Sequence, residues 1–450
     1  MMTLRAAAQV LNGELVGADR EFRAVGTDTR KLGRDHLFVA LIGPNHDGHD
    51  YLHEALAAGA AGAVVSRAAD TALPTVRVAD THGALGQLAA HWRGRFAIPL
   101  IGVTGSNGKT TVKNMLAAIL GEAGRVLATE GNLNNDIGLP LTLLKLRAGD
   151  DYAVIEMGMN HAGEIDTLTR IARPTVALIT NAGSAHIGNL GSIEAIARAK
   201  GEIFAGLAAD GVAVINADDD HASLWRALAG DRRRISFGLR AGADVRADYE
   251  PAADGSRIAM HTPWGELSLR LPMPGPHNVM NALAAGAAAL AAGARLEHVK
   301  AGLEAMRAAP GRLEPKPGRG GARVLDDSYN ANPSSLAAAL EVLRAAAGER
   351  VLVLGDMGEL GAGAADLHRS AGELARQAGI ERLYAVGDLS RHAVEAFGGG
   401  GRHFASHALL AAALSGEMHA GMTVLVKGSR LMRMEQVVAA ITTQPEPENA

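Results

Sequence analysis

The chain of 450 residues contains no cysteine. That absence excludes disulfides, thiolate metal centres and a cysteine nucleophile. Aromatic residues are scarce, with three Trp, five Tyr and seven Phe, so aliphatic side chains and alanine must fill the cores. Neither sign of charge dominates: 44 Lys and Arg against 48 Asp and Glu leave a net charge of −4. Without a general basic surface, nucleic acid is not expected as a partner, and the short basic run at 231–234 reads as a solvated face. Long hydrophobic runs are missing too. The longest weakly apolar stretch, ALAAGAAALAAGA at 282–294, is alanine and glycine, too weakly hydrophobic to favour a bilayer. Asn12 and Glu14 interrupt the N-terminus where a signal peptide needs an apolar core, so a cytoplasmic protein without membrane insertion is expected.

The length suggests about three domains, each able to own a core. Residues 1–97 carry short strand and helix signals (ELVG, HLFVALIG, TVRVAD) and close on a helix, THGALGQLAAHWRGRF. Residues 98–311 alternate strand and helix patterns, which implies a parallel sheet with helices on both faces. Within them RIAMHTPWGELSLRLPMPG reads as a hairpin addition. Residues 312–450 resume the alternation as a smaller, Rossmann-like doubly wound unit, and TTQPEPENA reads as a tail. PGRLEPKPGRGG (310–321), rich in Pro, Gly and charge, is the expected linker and hinge. The fold class expected is therefore α/β, in three domains.

Residues 102–111 read GVTGSNGKTT, between a buried-strand pattern (IPLI) and a helix with one apolar face (VKNMLAAIL). Gly105 and Gly108 let the backbone approach an anion, and amides at the helix start point at its oxygens. In that frame Lys109 brings a point charge to the β- and γ-phosphates, and the Thr110 hydroxyl can ligate Mg²⁺. The general G-x-x-x-x-G-K-[ST] pattern needs glycine at 103, where this chain has Val103. Lys and two Thr nevertheless follow in the required places, and a bound nucleotide is expected.

Other polar residues fall at predicted strand ends, where ligands of open α/β sheets sit. Glu156 closes YAVIEMG and offers the hard carboxylate that a nucleotide's magnesium needs. His186 follows VALITNAG and, taken alone, reads as structural. Lys200 falls on the helix face set by Ile193, Ile196, Ile203, Phe204 and Leu207. Either its stem snorkels along a surface, or burial leaves a neutral and reactive amine; the residues alone favour the first. His46, His49 and His53 hint at a metal site, but Asp47 and Gly48 between them mark a tight turn instead.

TGSNGKTT, TEGNLNNDIGLP (129–140), EMGMNHAGEI (156–165), TNAGSAHIG (180–188), AKGEIF (199–204), GPHNVMNAL (275–283), GRLE (311–314) and DDSYNANPSS (326–335) occur in the order seen in the Mur ligases. The chain resembles that family over essentially its full length. VGTDTR (25–30), FVALIGPNHDGHDY (38–51) and LGDMGELG (354–361) resemble the branch that adds D-alanyl-D-alanine, not D-glutamate or diaminopimelate. The family's phosphate loop is similar to T-G-[ST]-x-G-K-[ST], which accommodates Val103.

The resemblance implies the family's three-domain architecture, acting as a monomer on ATP, UDP-MurNAc-tripeptide and D-Ala-D-Ala. Mg-ATP phosphorylates the tripeptide's carboxylate, and the dipeptide's amine displaces phosphate from the acyl phosphate. By the same resemblance Thr104, Gly105, Ser106, Asn107, Gly108, Lys109, Thr110 and Thr111 hold the triphosphate. Thr110 and Glu156 hold magnesium, His186 joins at a second metal position, and Lys200 is carbamylated, which reverses its bland reading. Asn278 and Asn281 face the adenine, Arg312 reaches the phosphates and Asp327 the ribose. Thr27, Asp28, Thr29 and Arg30 match the uridine motif, with Asn45, Asp47, Gly48 and His49 near the peptide. Thr129, Asn132, Asn134 and Asn135 supply donors between the first two segments, and Ser328, Tyr329, Asn330 and Asn332 neighbour D-Ala-D-Ala. Rival readings are a phosphate-loop kinase, a nucleotide-gated binding module and the related folylpolyglutamate synthetases.

Overall fold

The computed structural model describes residues 1–185, 187–252 and 255–443. IPLIGVT becomes the strand Leu100–Thr104, buried at every residue, as a strand covered on both faces requires. Ile101 and Val103 enter one hydrophobic cluster and Leu100 enters another on the opposite side. This strand lies inside a six-stranded sheet ordered Arg233–Phe237, Val212–Asn216, Val176–Ile179, Leu100–Thr104, Tyr152–Glu156, Val126–Ala128. Every pairing in it is parallel. The alanine-rich stretch forms most of the buried helix Pro276–Ala291, whose small side chains let it pack closely on the helix Lys109–Gly121. Among the described residues no helix is long and apolar enough to cross a membrane.

A five-stranded and a second six-stranded sheet flank the central one. Residues before Leu100 build a five-stranded sheet ordered Glu14–Val16, Thr75–Arg77, Gly62–Val65, His36–Val39, Ala24–Gly26. The C-terminal sheet is ordered Glu314–Pro317, Arg323–Asp327, Met422–Lys427, Glu349–Gly355, Arg382–Val386, Gly401–Phe404, parallel except for its first strand. The expected hairpin is a three-stranded meander, because Arg246–Ala252 pairs with Gly255–Thr262, which pairs with Gly265–Leu271. RADYEPA hides its strand character under charges and a proline.

The expected linker at 310–321 is shorter than it reads. Glu314–Pro317 is an antiparallel edge strand, where Pro315 and Pro317 are tolerated without amide donors. The passage between units therefore runs from the end of the helix Leu296–Glu304 to Glu314, with Gly311 (φ +69°) and Leu313 (φ +52°) in left-handed backbone. The final expected tail falls mostly at 444–450, outside the described residues.

The three units are not equally joined. One hydrophobic cluster runs from Leu4 and Phe22 through Trp92 to Leu100 and Ile155, so the first sheet and one face of the central sheet share a core. Arg93 is buried at that junction and donates to the carbonyls of Ala172 (3.1 Å), Ile98 (3.2 Å) and Phe96. The C-terminal sheet is built around clusters of its own.

Candidate active site

The C-terminal ends of the central strands converge on one cleft of about 500 Å³, closed from the other side by the C-terminal unit. Gly105 turns the chain out of Leu100–Thr104 at φ +150°, and a Cβ there would lie 1.8 Å from Thr180 Oγ1. Gly108, at φ +82°, starts the following helix, and a Cβ there would lie 2.4 Å from Asn281 Oδ1. At both positions a side chain would meet a left-handed φ and a contact under 3 Å, so a neighbour would have to shift. Thr104 is fully buried and donates to the Met157 carbonyl (2.9 Å), and Thr111 is buried in the helix.

The outer side of the loop is pinned by the neighbouring strand end. The Ser106 amide donates to the Asn181 carbonyl (2.9 Å) and the Asn107 amide to Asn181 Oδ1 (3.0 Å). Thr180 Oγ1 donates to the Asn107 carbonyl (2.7 Å), and Asn216 Nδ2 holds the Thr180 carbonyl (2.8 Å). Donors for an anion are then those of the first helical turn, which helix geometry leaves without an internal partner. Lys109 Nζ lies back over the loop on the Gly105 carbonyl (2.7 Å), and burial lowers its pKa against the opposing pull of Glu156. A phosphate at the turn would give that ammonium an anionic partner in place of a carbonyl. The cradle fits a nucleotide triphosphate.

Glu156 is 2% exposed, yet both its oxygens are held: Oε2 accepts from Thr110 Oγ1 (3.1 Å) and Oε1 from Asn134 Nδ2 (2.8 Å). Its amide donates to Thr129 Oγ1 (2.9 Å), and the Thr129 carbonyl accepts from the buried Lys113 Nζ (2.8 Å). Asn132 and Asn135 are exposed on the same loop, where Asn135 Oδ1 accepts from the Gly138 amide (2.9 Å). The Thr110 hydroxyl and the Glu156 carboxylate are hard oxygen donors of the kind magnesium takes, and their meeting fits that ion. Among the described residues no group of three His, Asp or Glu forms a ready cage. His186, expected at a second metal position, lies outside the described residues. Lys200 lines the cleft at 1% exposure, and burial together with the Lys109 charge holds its pKa well below the usual lysine range.

The other wall comes from the C-terminal unit. Arg312 Nη2 donates to Thr110 Oγ1 (3.1 Å), and its guanidinium stacks 4.3 Å from the Tyr329 ring centre. Asp327 and Lys427 end neighbouring strands and form a buried ion pair at 2.5 Å. Burial raises the Asp327 pKa, and the Lys427 charge opposes that rise. Ser328 is buried on Asp326, and Asn330 gives its carbonyl to Lys427 Nζ (3.0 Å). The amide of Asn332 is committed to Asn107 (2.9 Å). Asn278 and Asn281 do lie together (3.3 Å), but Asn281 sits over Gly108, at the phosphate loop.

The expected uridine and peptide residues occupy the first unit. Asp28 caps the turn Thr29–Lys31 and pairs with the exposed Arg30 (2.9 Å), beside Thr27. Asp47 caps the next turn and pairs with Arg67 (2.7 Å). His49 is buried, with Nδ1 on Asp47 (2.6 Å) and Nε2 accepting from the Ser66 amide (2.9 Å). Gly48 packs on Ala40, leaving Asn45 as the exposed member of the set.

Sequence reading misses three residues that line the cleft, Asn181, His277 and Lys427, and three that support it, Lys113, Thr180 and Asn216. His277 lines the cleft with its Nδ1 buried and without a partner, and burial aided by Lys427 lowers its pKa to about 4. Its only signal was adjacency to Asn278.

With this geometry in hand, comparison with known proteins finds three family models in order along the chain. The Mur ligase family catalytic domain matches residues 21–93, the Mur ligase middle domain 103–289, and the Mur ligase glutamate ligase domain 311–430. The UDP-N-acetylmuramoyl-tripeptide–D-alanyl-D-alanine ligase of Escherichia coli (strain K12) is 46% identical over 445 residues, 98% of each chain. A crystal structure of MurF from Acinetobacter baumannii superposes with a TM-score of 0.92 at 38% identity, covering 97% of both chains. MurF ligase from Thermotoga maritima in complex with ADP superposes at 0.84 and 27% identity, covering 93% of this chain and 96% of that one.

Proposed function

This chain belongs to the Mur ligase family, and we propose that it joins D-alanyl-D-alanine to the terminal carboxylate of UDP-N-acetylmuramoyl-tripeptide, converting ATP to ADP and phosphate. The observation that carries the reading is the cleft. One wall offers a phosphate loop with Lys109, Thr110 and Glu156; the other, from a separately cored unit, offers Arg312, Asp327 and Lys427. A ligase needs two substrates presented from two sides to one phosphate.

A carboxylate is a poor acceptor because an amine would have to expel oxide. Transfer of the γ-phosphoryl group gives an acyl phosphate, and amine attack then expels phosphate. Two anions must first meet, and Lys109 with Arg312 offsets their repulsion. Thr110 and Glu156 would hold magnesium, which supplies further charge neutralisation between triphosphate and carboxylate. Lys200 fits carbamylation: an amine kept neutral by burial adds CO₂, loses a proton and becomes an anion where a cation would repel the metal. The loop at 129–135 holds Glu156 in place through Thr129 and Asn134. Asn278 serves the adenine and Asp327 the ribose; Tyr329 and Asn330 face the dipeptide, on a turn that Ser328 anchors from inside. Residues 27–30 and Asn45 receive the UDP-linked substrate on the first unit. The product belongs to peptidoglycan synthesis in the cytoplasm, and the enzyme acts as a monomer.

Phosphate release from ATP with UDP-MurNAc-tripeptide, with and without D-Ala-D-Ala, tests the reading. Release that depends on the dipeptide and yields the pentapeptide is expected. A stable phosphorylated product formed without the dipeptide would establish a kinase instead.

A further inference from the structure

Asn107 occupies the one position of the loop motif that imposes no residue type. Its main chain is already spent: the amide donates to Asn181 Oδ1 (3.0 Å), and the carbonyl accepts from Thr180 Oγ1 (2.7 Å) and Asn181 Nδ2 (3.1 Å). The side chain turns the other way, across the cleft. Asn107 Nδ2 donates to Ser334 Oγ (2.9 Å), Ser334 Oγ donates to Asn332 Oδ1 (2.8 Å), and Asn332 Nδ2 donates back to Asn107 Oδ1 (2.9 Å). Three side chains form a closed ring of hydrogen bonds between units with separate cores. Asn332 also caps the helix Pro333–Arg344 through the Ser335 amide (2.9 Å), so the ring fixes where that helix begins. Gly183 makes room, since a Cβ there would lie 2.9 Å from Ser334 Oγ.

We propose that Asn107 is a positioning residue whose carboxamide clasps the C-terminal unit to the phosphate loop and keeps the two walls of the cleft in register. A second polar bridge, Arg312 to Thr110, uses the hydroxyl that magnesium would take, so it must yield when the metal binds. The ring uses neither the Thr110 hydroxyl nor the Glu156 carboxylate, and no main-chain amide of the loop. Like the main-chain bond from the Gly188 amide to the Glu359 carbonyl (3.0 Å), it can persist through nucleotide binding, while Lys109 and Arg312 rearrange. The inference rests on the ligase reading only for what the register serves, namely delivery of the dipeptide to the activated carboxylate.

The test uses full-length protein carrying Asn107→Ala, Asn332→Ser, Ser334→Ala, or the first two together. Serine keeps a helix-capping oxygen at 332 but is too short to reach Asn107. Each single variant should raise the KM for D-Ala-D-Ala roughly tenfold, the scale of one or two lost hydrogen bonds that set the docked fraction. The double variant should be no worse than either single one, since both break the same ring. The Kd for a non-hydrolysable ATP analogue, measured by calorimetry on the Asn332→Ser and Ser334→Ala proteins, should stay within about twofold. Small-angle scattering of the unliganded variants should give a larger radius of gyration than the parent protein. Effects that multiply in the double variant, a loss confined to nucleotide affinity, or unchanged scattering would each overturn the clasp. Scattering needs no substrate, so it judges the clasp even if the ligase assay fails.

Discussion

Replacing Gly105 by alanine is the sharpest perturbation of the phosphate loop. The added Cβ would stand 1.8 Å from Thr180 Oγ1, whereas ordinary contact begins at 3.4 Å, so 3.4 − 1.8 = 1.6 Å must be found. Thr180 cannot simply turn away, because its hydroxyl holds the Asn107 carbonyl and its own carbonyl is held by Asn216. Breaking the Thr180 bond costs about 1 kcal/mol, and alanine at φ +150° adds roughly 1–3 kcal/mol. A stability loss of about 2–4 kcal/mol is therefore expected in urea titrations. If the loop moves instead, a displacement beyond 1 Å should cost on the order of 10²-fold in kcat/KM. Gly105→Ala combined with Thr180→Ala should recover part of both losses, since the nearest clashing atom is then gone. A Gly105→Ala protein with parental stability and parental affinity for an ATP analogue would refute the steric argument.

Three further outcomes are expected. Lys200→Ala should be nearly inactive and partly rescued by small carboxylates such as formate; full activity without rescue would remove the carbamate. His277 has a folded-state pKa of about 4 against an ordinary 6.5, so the unfolded chain binds the extra proton between those values. Stability should accordingly fall as pH drops from about 6.5 to about 4, and His277→Gln should flatten that slope in denaturant midpoints. Arg93→Met should lower stability by about 2–4 kcal/mol, as one buried and two half-buried carbonyls lose a charged donor while a buried charge is also removed; an unchanged midpoint would deny the junction its role.

Much of the architecture was legible because hydrophobic runs of parallel strands, such as LIGVT and VAVIN, are buried on both faces and stand out in any reading. The two elements misread carry prolines and charges. Arg246–Ala252 lies mostly exposed and Glu314–Pro317 is an edge strand, so neither needs an apolar pattern. In the site, the loop residues and Glu156 announced themselves by motif and strand-end position. Lys113, Lys427 and His277 did not, since their importance comes from what tertiary packing sets beside them: the Thr129 carbonyl, the Asp327 carboxylate and an empty-handed ring nitrogen. His49 is the opposite case: its polar motif suggested a turn near the peptide and said nothing of where the ring would go. Its ring is consumed by Asp47 and Ser66 inside the first unit.

The shared core of the first two units has a mechanical consequence. Pulling the N-terminal unit away would strip apolar surface from the helices Gly138–Leu143 and Glu164–Ala172, on which its helix Thr81–Arg93 packs, so those units should melt together as a single block. The C-terminal unit, cored separately, loses polar bridges and the packing of Ile187 when it swings out, and heat should release it separately. A nucleotide gripped by both walls would weld these events, turning a two-step melt into one.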